Sequence, residues 1–268
     1  MIRSRRSMVA LLCAALLATS GCSDDAAPAS ADLAADLARA DAAGPTVDTA
    51  PAGDQATPVD SAKALPRPVV FVHGINGSAK DFDVMIQRLV ADGWAAERLS
   101  ALTYADPSWG CNVDNAAALR RHVQDVMKKT GAQRIDLVAH SMGTLSSRYF
   151  IKNLGGGGVV NTYLTLGGMH HGLSSPCLSP FDVCVWKELC ASGPFIAQLD
   201  ADPATPGKLN WVSMFGTGDT SVPNDSSRLD GAENISFPDV EHSGAKGLLE
   251  DLAVYAEVKR VLQYPDWK

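Results

Sequence analysis

Apolar positions between residues 66 and 262 follow two different spacings. Short runs such as Val69-Val70-Phe71-Val72 contain no polar residue and are typical of strands buried on both faces of a parallel sheet. Between these runs, apolar residues recur every three or four positions, which is the spacing of a helix with one buried face. The alternation predicts one α/β domain, with a mostly parallel sheet and helices on both faces.

The same pattern predicts the order of the elements. A helix-start signal, Ser78 followed three residues later by Asp81, comes after the first strand. The predicted strands are 69–72, 99–104, 134–139, 162–166, 211–215 and 234–237. The predicted helices start after Ser78, near Asn115, after Ser141 and near Ala245, and they end near Gly93, Lys129, Gly155 and Leu262.

Residues 1–22 have the pattern of an export signal. Three arginines among the first six residues precede an apolar run from Met8 to Ala18, which is too short for a durable membrane span. Residues 19–22 read Thr-Ser-Gly-Cys and resemble the lipobox of bacterial lipoproteins, so Cys22 is the predicted lipidation site. In the alternative, an ordinary secretory signal, Cys22 has no role. Both interpretations export the protein, to the cell envelope as a lipoprotein or to the extracellular space.

Residues 23–65 differ in composition from the rest of the chain. They contain 15 Ala, eight Asp and no aromatic residue, so they cannot bury enough apolar surface to offset their chain entropy. We expect a disordered tether spanning roughly 35 Å between a lipid anchor and the domain that follows, residues 66–268. The alternative is a pro-segment that is removed on secretion. The formal net charge of −7 lies mostly in this segment, and it argues against nucleic acid as a partner.

A candidate nucleophile lies between a predicted strand and a predicted helix. Residues 139–143 read Ala-His-Ser-Met-Gly, a variant of the G-x-S-x-G elbow, which needs small flanking residues around a strained serine. Ser141 would also lie at a helix N-terminus, where the helix dipole favours developing negative charge. The alternative is that Ser141 only caps the helix.

Acyl transfer also needs backbone N–H groups directed at the oxyanion. In an elbow of this kind one donor follows the nucleophile, and here it is Met142. The second comes from the loop after an early strand, where Val72-His73-Gly74-Ile75 makes Ile75 the best candidate. The alternative is that His73-Gly74 is only a turn.

The general base and its carboxylate should follow the serine in chain order. His242 lies between the last predicted strand and the last helix, and Asp219 ends the strand before it. We therefore predict His242 as the base and Asp219 as its orienting partner. Asp225, Asp230 and Asp239 remain rivals for the carboxylate. His170-His171 is expected to border the acyl pocket, with metal binding as the alternative.

Several of these blocks in order, VVFVHGING, IDLVAHSMG, YFIKNLGG, LTLGG, SRLDGAENI and EHSG, resemble the small bacterial true lipases (class 2, best known from Bacillus). They also resemble a group of actinobacterial secreted lipases. The resemblance implies an α/β-hydrolase fold and a carboxylic ester hydrolase with Ser141, His242 and Asp219 as its triad. It implies Ile75 and Met142 as oxyanion donors, and neither a metal nor an organic cofactor.

We expect mono- or triacylglycerols and synthetic fatty esters as substrates, and a monomeric enzyme. A short-chain esterase or a polyester depolymerase uses the same machinery, as does a thioesterase or amidase, because fold and triad do not set the acyl pocket. A surface-binding lipoprotein with a decayed site is the alternative from a different class.

Residues 168–208 form a connection longer than two neighbouring elements need. With Cys111, this segment holds the four cysteines of the domain, and an even count in an exported protein suggests two disulfides. Three pairings are open, and free buried thiols are the alternative. The apolar residues of the segment could form a mobile lid or plain core. The four cysteines are Cys111, Cys177, Cys184 and Cys190.

Overall fold

The computed structural model describes residues 66–180 and 182–263. The predicted export signal with Cys22 and the predicted tether lie outside the described residues. No helix within the described ranges combines the length and apolarity needed to cross a bilayer.

Six strands of the described residues form one parallel sheet, in the order β2-β1-β3-β4-β5-β6. The expected α/β architecture is confirmed. The strands are β1 (Val69–Val72), β2 (Leu99–Leu102), β3 (Ile135–His140), β4 (Val160–Leu166), β5 (Asn210–Gly216) and β6 (Glu233–Phe237).

Helices connect these strands. A single 3₁₀ turn, Ala79–Phe82, leads into the first helix, and Ser78 and Asp81 form the capping box expected there. The α-helices are α1 (Asp83–Ala91), α2 (Asn112–Thr130), α3 (Gly143–Asn153), α4 (Cys184–Leu189), α5 (Pro194–Asp200), α6 (Asn224–Ser227) and α7 (Leu252–Gln263).

Side chains of β1 show how the sheet is sandwiched. Val69 and Phe71 pack into a cluster with buried residues of α1 and α7, whereas Val70 and Val72 pack on the opposite face against α2 and α3. Residues that alternate along a strand point to opposite faces, and each side chain of this size stabilises the fold by about 1.5–3 kcal/mol when fully buried. The apolar run of β1 therefore packs against helices on both faces of the sheet.

A third apolar cluster lies beyond the carboxyl ends of the strands, and we call it the carboxyl-edge cluster. It joins residues that follow β3, β4 and β5 to buried residues of α4 and α5. Its members are Met142, Leu145, Met169, Val185, Leu189, Phe195, Ile196, Leu199 and Val222. The long connection between β4 and β5 thus contributes core at this edge.

Helix α2 begins at Asn112 and not near Asn115, and two further predicted boundaries are wrong. The last helix begins at Leu252 and not near Ala245, because the Asp251 carboxylate accepts hydrogen bonds from the N–H groups of Ala253 and Val254 and caps the helix there. Strand β2 ends at Leu102 and not at Tyr104, whose N–H donates to the His73 ring instead of a strand partner.

The strand order reverses direction beside β1. The chain runs from β1 outward to β2, then returns to β3 on the other side of β1 and continues to β6. Ligand sites of open α/β sheets lie outside the carboxyl ends of the strands at such a switch point. Here the loops after β1 and β3 meet, and a Cβ built on Gly74 would lie 2.7 Å from the Ser141 Cβ.

Candidate active site

Ser141 occupies a strained turn between β3 and α3. Its φ of 55° lies in the left-handed region, which non-glycine residues rarely adopt. A side chain on Gly143 would collide with the loop after β1, since its Cβ would lie 2.4 Å from the His73 carbonyl oxygen. The small residue of the elbow is therefore needed for the packing of this loop against the serine turn.

Three side chains from separate loops form a hydrogen-bonded chain. Nε2 of His242 lies 2.9 Å from Oγ of Ser141, and Nδ1 of His242 lies 2.6 Å from Oδ2 of Asp219. Ser141 follows β3, Asp219 lies three residues after the end of β5, and His242 lies in the loop after β6. The parallel sheet brings the three together because the carboxyl ends of its strands share one edge.

The second oxygen of Asp219 is also held in place. Oδ1 accepts hydrogen bonds from the N–H groups of Ser221 and Val222, each at 2.8 Å, and the side chain is fully buried. Burial acts to raise the pKa of Asp219, but the hydrogen bonds from His242 and the Val222 amide outweigh it and keep this pKa below its ordinary value. The carboxylate is therefore ionised beside the imidazole.

Asp219 has no competitor at the imidazole. The three rival carboxylates that the sequence left open, Asp225, Asp230 and Asp239, belong to exposed residues, and His242 bonds to none of them within the described ranges.

Two backbone amides next to the serine turn, those of Ile75 and Met142, have no acceptor among the described residues. Ile75 follows Gly74, where a Cβ would lie 2.7 Å from the Ser141 Cβ. Met142 directly follows the serine. Within the part of the chain that the structure describes, neither the Ile75 nor the Met142 N–H donates to another protein group. Such unsatisfied amides near a candidate nucleophile are suited to bind a developing oxyanion.

His73 holds the loop after β1 in position. Its Nδ1 lies 2.7 Å from the Gly74 carbonyl oxygen and its Nε2 accepts from the Tyr104 N–H at 3.1 Å. This pair of bonds requires a neutral ring with the proton on Nδ1, and burial lowers the pKa of His73 accordingly. The Ile75 amide is therefore presented by a loop whose geometry is fixed by a neutral histidine.

Comparison with known proteins identifies the family of this chain. The family model of class 2 lipases matches residues 66–227, a range that includes Ile75, Ser141 and Asp219 and ends before His242. The chain belongs to the class 2 lipase family. Lipases are carboxylic ester hydrolases, the enzyme class that the sequence analysis predicts.

Solved structures show the same fold at low sequence identity. The Legionella pneumophila phospholipase PlaB, in complex with thio-NAD, has a TM-score of 0.63 and 16% identity over 75% of this chain and 59% of that one. Aspergillus fumigatus lipase B has a TM-score of 0.63 and 14% identity, over 75% and 53% of the two chains. A Bacillus licheniformis lipase in its mature form gives 0.62 and 18%, over 78% and 96%.

These likenesses establish the fold. The chain spans 59% of the length of the Legionella phospholipase and 53% of the Aspergillus lipase. It spans 96% of the length of the Bacillus lipase.

The pair His170-His171 does not form a single site in this class 2 lipase. The His170 side chain is fully buried and its Nε2 lies 3.0 Å from Oγ1 of Thr165, while the expectation that this pair borders the acyl pocket stays a prediction. His171 points elsewhere, with Nδ1 2.7 Å from the Asp200 carboxylate, and this hydrogen bond raises its pKa. The rings have different partners because one packs under the sheet edge and the other against α5.

The four cysteines form two disulfides, Cys111–Cys184 and Cys177–Cys190. The first ties the start of α2 to α4. Beside it the buried Glu188 carboxylate accepts the Asn112 N–H and so caps α2 from a distant segment, while burial raises the pKa of Glu188. Sequence reasoning missed this cap, because it joins positions 76 residues apart.

Metal binding at this place is disfavoured by the chemistry of the sulfurs. Ligand atoms of Cys111, Cys184 and Glu188 lie within 4.8 Å of one another. The two sulfurs are bonded to each other, whereas a metal binds the free thiolate.

Proposed function

We propose that this chain is an exported serine hydrolase that cleaves the ester bonds of acylglycerols. Ser141 is the nucleophile, His242 the general base and Asp219 the carboxylate that orients it, while the Ile75 and Met142 amides bind the oxyanion. The observation that carries the proposal is the continuous Ser141–His242–Asp219 hydrogen-bonded chain, with distances of 2.9 and 2.6 Å. Membership of the class 2 lipase family supports the ester bond as the target.

Acylation starts when Ser141 Oγ attacks the ester carbonyl carbon and its proton passes to His242 Nε2. The carbonyl oxygen becomes an oxyanion that accepts the Ile75 and Met142 N–H groups. The ionised Asp219 stabilises the imidazolium and keeps its Nδ1 proton in place. Collapse of the tetrahedral intermediate breaks the ester C–O bond, and the Nε2 proton goes to the departing alcohol.

Deacylation repeats these roles with water. His242 takes a proton from water, and the resulting nucleophile attacks the acyl-Ser141 carbonyl at the same pair of amides. The imidazolium then returns its proton to Ser141 Oγ as the carboxylic acid leaves. Bond breaking and proton transfer balance without a cofactor, so the proposed chemistry needs only residues of this chain and water.

The surroundings of the two amides favour an apolar acyl group. Met142 belongs to the carboxyl-edge cluster together with Met169 and Val222, and the Ile75 side chain packs against this cluster. Apolar walls with a few directed polar groups are typical of sites for small apolar substrates. This supports fatty acyl esters in preference to charged ones.

The mechanism is tested by hydrolysis of p-nitrophenyl esters with the purified protein. Ser141→Ala should abolish turnover, because the hydroxyl that forms the acyl-enzyme is removed. Ser236→Ala, an exposed serine on β6, is the matched control and should retain full activity. Full turnover in Ser141→Ala would refute the mechanism, and an inert wild-type protein would favour the surface-binding lipoprotein.

The substrate class is tested by a chain-length series measured with and without emulsified triacylglycerol. An acylglycerol hydrolase should act well on the emulsion and on medium or long acyl chains. Activity confined to soluble short-chain esters would instead identify a short-chain esterase, and release of monomers from a polyester film would identify a depolymerase.

We further propose residues 1–22 as an export signal, lipidated Cys22 as an envelope anchor, residues 23–65 as a tether and residues 66–268 as a monomeric catalytic domain. Two disulfides support export, because such bonds persist in oxidising compartments. Radiolabelled fatty acid should enter wild-type protein and the Cys13→Ser control but not Cys22→Ser. Label that persists in Cys22→Ser would refute the anchor, and size-exclusion chromatography tests the monomer.

A further inference from the structure

We propose that residues 31–43, which belong to the proposed tether, dock as a short helix in an apolar groove at the amino ends of the strands. We call these residues the docking segment. The inference goes beyond the proposed function and does not depend on it, since it concerns how the N-terminal part of the chain is held against the domain.

The groove lies beside α2, between this helix, α3 and the segments that lead into β3 and β4. Its volume is about 350 Å³, which is within the range of pockets that bind ligands. The walls are mainly apolar, and their apolar residues are Val123, Met127, Ala132, Phe150 and Val159. We call it the amino-edge groove, and its walls suit an occupant that brings apolar side chains of its own.

Cations line the amino-edge groove and no carboxylate opposes them. Arg120 and Lys128 contribute to the lining, which contains no acidic residue among the positions that the structure describes. Neither side chain forms an ion pair with a described residue. Electrostatic complementarity therefore favours an occupant with net negative charge.

The chain enters the described part of the molecule beside this groove. A second depression, of about 330 Å³, shares residues 131–133 with the groove and is lined in part by Arg67. Pro66, the residue before it, accepts a hydrogen bond at its carbonyl from Arg98, which lines the same depression, at 3.1 Å. The chain that precedes residue 66 therefore starts next to the amino-edge groove.

The sequence around the docking segment has the signals of a helix. Ser30 is a residue type preferred at the N-cap, and the Gly-Pro pair at 44–45 is typical of a helix end. Seven of the 13 residues between these signals are alanine, the strongest helix former, and Leu33 and Leu37 share one face because they are four apart. A helix of this length is marginal in water without tertiary contacts, so it needs an apolar surface against which to pack.

The docking segment is complementary to the amino-edge groove in charge and in pattern. It carries Asp32, Asp36 and Asp41 against one cation, Arg39, and so has a net charge of −2. When an amphipathic helix binds in a groove, apolar side chains four residues apart enter the groove and polar ones remain at its rim. The two leucines would contact the apolar walls, and the aspartates would lie near the cations. Salt should weaken this docking, because the charges lie at the surface.

The linker between the docking segment and the domain is long enough for docking. Residues 44–65 are 22 in number, and a coil of this length spans roughly 25 Å on average. A linker of this kind keeps the segment at an effective concentration on the order of 1 mM. A dissociation constant of about 0.1 mM would then keep about 90% of the molecules docked, so weak contacts suffice.

Docking at this place leaves the candidate active site uncovered. Ala132 and Gln133 line the groove and precede β3, whereas Ser141 follows β3. A strand of six residues spans roughly 20 Å, so the groove and the serine lie at opposite ends of the sheet. Hydrolysis of a soluble ester should therefore be independent of docking.

The first test measures hydrogen exchange by mass spectrometry, in protein purified from cells that express the full chain. Amides of the docking segment should exchange about tenfold faster in the double variant Leu33→Asp, Leu37→Asp than in the wild type, because the docked fraction of about 90% is lost. Val47→Asp, a similar change in the linker, is the matched control and should leave the exchange rate unaltered.

The second test changes the groove and leaves the helix propensity of the docking segment untouched. The double variant Arg120→Glu, Lys128→Glu should accelerate exchange of the segment severalfold at low salt and less at high salt. The matched control is Arg121→Glu, Lys129→Glu, at neighbouring exposed positions of α2 that do not line the groove. This control should exchange like the wild type.

A charge swap tests whether these two surfaces meet. Asp32→Lys with Asp36→Lys should accelerate exchange of the docking segment in the wild-type domain. The same pair of changes should restore slow exchange in the Arg120→Glu, Lys128→Glu domain, because the signs of both surfaces are then reversed.

Equal exchange in the wild type, the leucine variant and the groove variant would overturn the proposal, as would purified protein that has lost residues 31–43. Exchange that slows as the protein concentration rises would also overturn it, in favour of docking between two copies of the chain. Hydrolysis of p-nitrophenyl acetate is measured on the same samples. A wild type without this activity would refute only the proposed function, so the two failures are distinguishable.

Discussion

The Nε2 atom of His140 lies 3.1 Å from the carbonyl oxygen of His242, and the centroids of the two rings are 4.7 Å apart. Burial, together with the charge of His242, lowers the pKa of His140 to about 3, so its ring is neutral at working pH. Since a carbonyl oxygen only accepts, Nε2 must carry the proton. His140 therefore fixes the backbone of the candidate base to β3, the same strand that positions Ser141.

This relationship makes His140 a positioning residue with a measurable signature. His140→Leu removes the donor and should lower kcat by about 10- to 100-fold with little change in KM, because a misplaced imidazole impairs proton transfer and not ester binding. His140→Gln keeps an N–H near the position of Nε2 and should recover most of the loss. Equal impairment of the two variants, at equal thermal stability, would contradict the role.

Substitution of Asp219 should lower kcat far more than substitution of a nearby exposed aspartate. Asp219→Asn keeps the shape of the side chain but removes the charge that stabilises the imidazolium, and the expected loss in kcat is about 10⁴-fold. Asp230→Asn is the control, because Asp230 is exposed and makes no contact with His242. Steady-state kinetics on a soluble ester measures both, and comparable activity of the two variants would argue against Asp219 as the orienting group.

Gly74 should tolerate no side chain. A Cβ at this position would lie 2.7 Å from the Ser141 Cβ and 3.1 Å from its Oγ, so Gly74→Ala must displace either the serine or the oxyanion loop. We expect a loss of at least about 100-fold in kcat with a folded protein. Gly158→Ala is the control because its Cβ would meet nothing within 4 Å. Wild-type kinetics in Gly74→Ala would disprove this close packing.

The two disulfides should contribute unequally to stability. Chain-entropy arguments assign about 4 kcal/mol to Cys111–Cys184, which spans 73 residues, and about 3 kcal/mol to Cys177–Cys190, which spans 13. Replacing each pair with alanines and measuring urea unfolding should show the larger loss for the first pair. A larger loss for the second pair would mean that packing around the cysteines, and not loop closure, determines their contribution.

Stability should fall as the pH drops below neutrality. Burial lowers the pKa of His73, His122 and His140 below 6.5, so between pH 6.5 and about 3 the unfolded chain binds more protons than the folded one. At pH 5, about 1.5 units below the unfolded pKa, the fully buried His140 alone accounts for a loss of about 2 kcal/mol. His171 acts oppositely, since its raised pKa adds stability below pH 6.5.

Urea unfolding at pH 7 and pH 5 measures this dependence. The free energy of unfolding should fall between the two values, and His140→Gln should reduce the size of the fall. An equal fall of the free energy of unfolding in wild type and variant would exclude His140 as a main contributor to this pH dependence.

Features that depend on local sequence were predictable. Strand β1 matches its predicted bounds because a continuous apolar run suits only a strand covered on both faces. The capping box of Ser78 and Asp81 and the strained elbow at Ser141 follow from short motifs. The structure brings the side chains of Ser141, His242 and Asp219 together, while their catalytic roles remain predictions until the variants are measured.

Features that join distant segments were not predictable. The cysteine pairing stayed open because loop-closure entropy changes little with spacing and three pairings fit the same sequence. The contact of His140 with His242 spans 102 positions, and the Glu188 cap on α2 spans 76. The enclosure of His170 depends on how the segment after β4 folds over the sheet edge, and no motif in the sequence encodes that path.

By itself the sequence determined an α/β fold with a mostly parallel sheet, and it predicted the elbow serine and the candidate acid and base. The fold follows from apolar periodicity, and the candidates follow from motifs of a few residues. Only the tertiary structure decided which cysteines pair and which histidine positions the base. These properties arise where β1, β3, β5 and β6 bring separate loops to one edge, since packing between loops depends on shape in three dimensions and not on spacing along the chain.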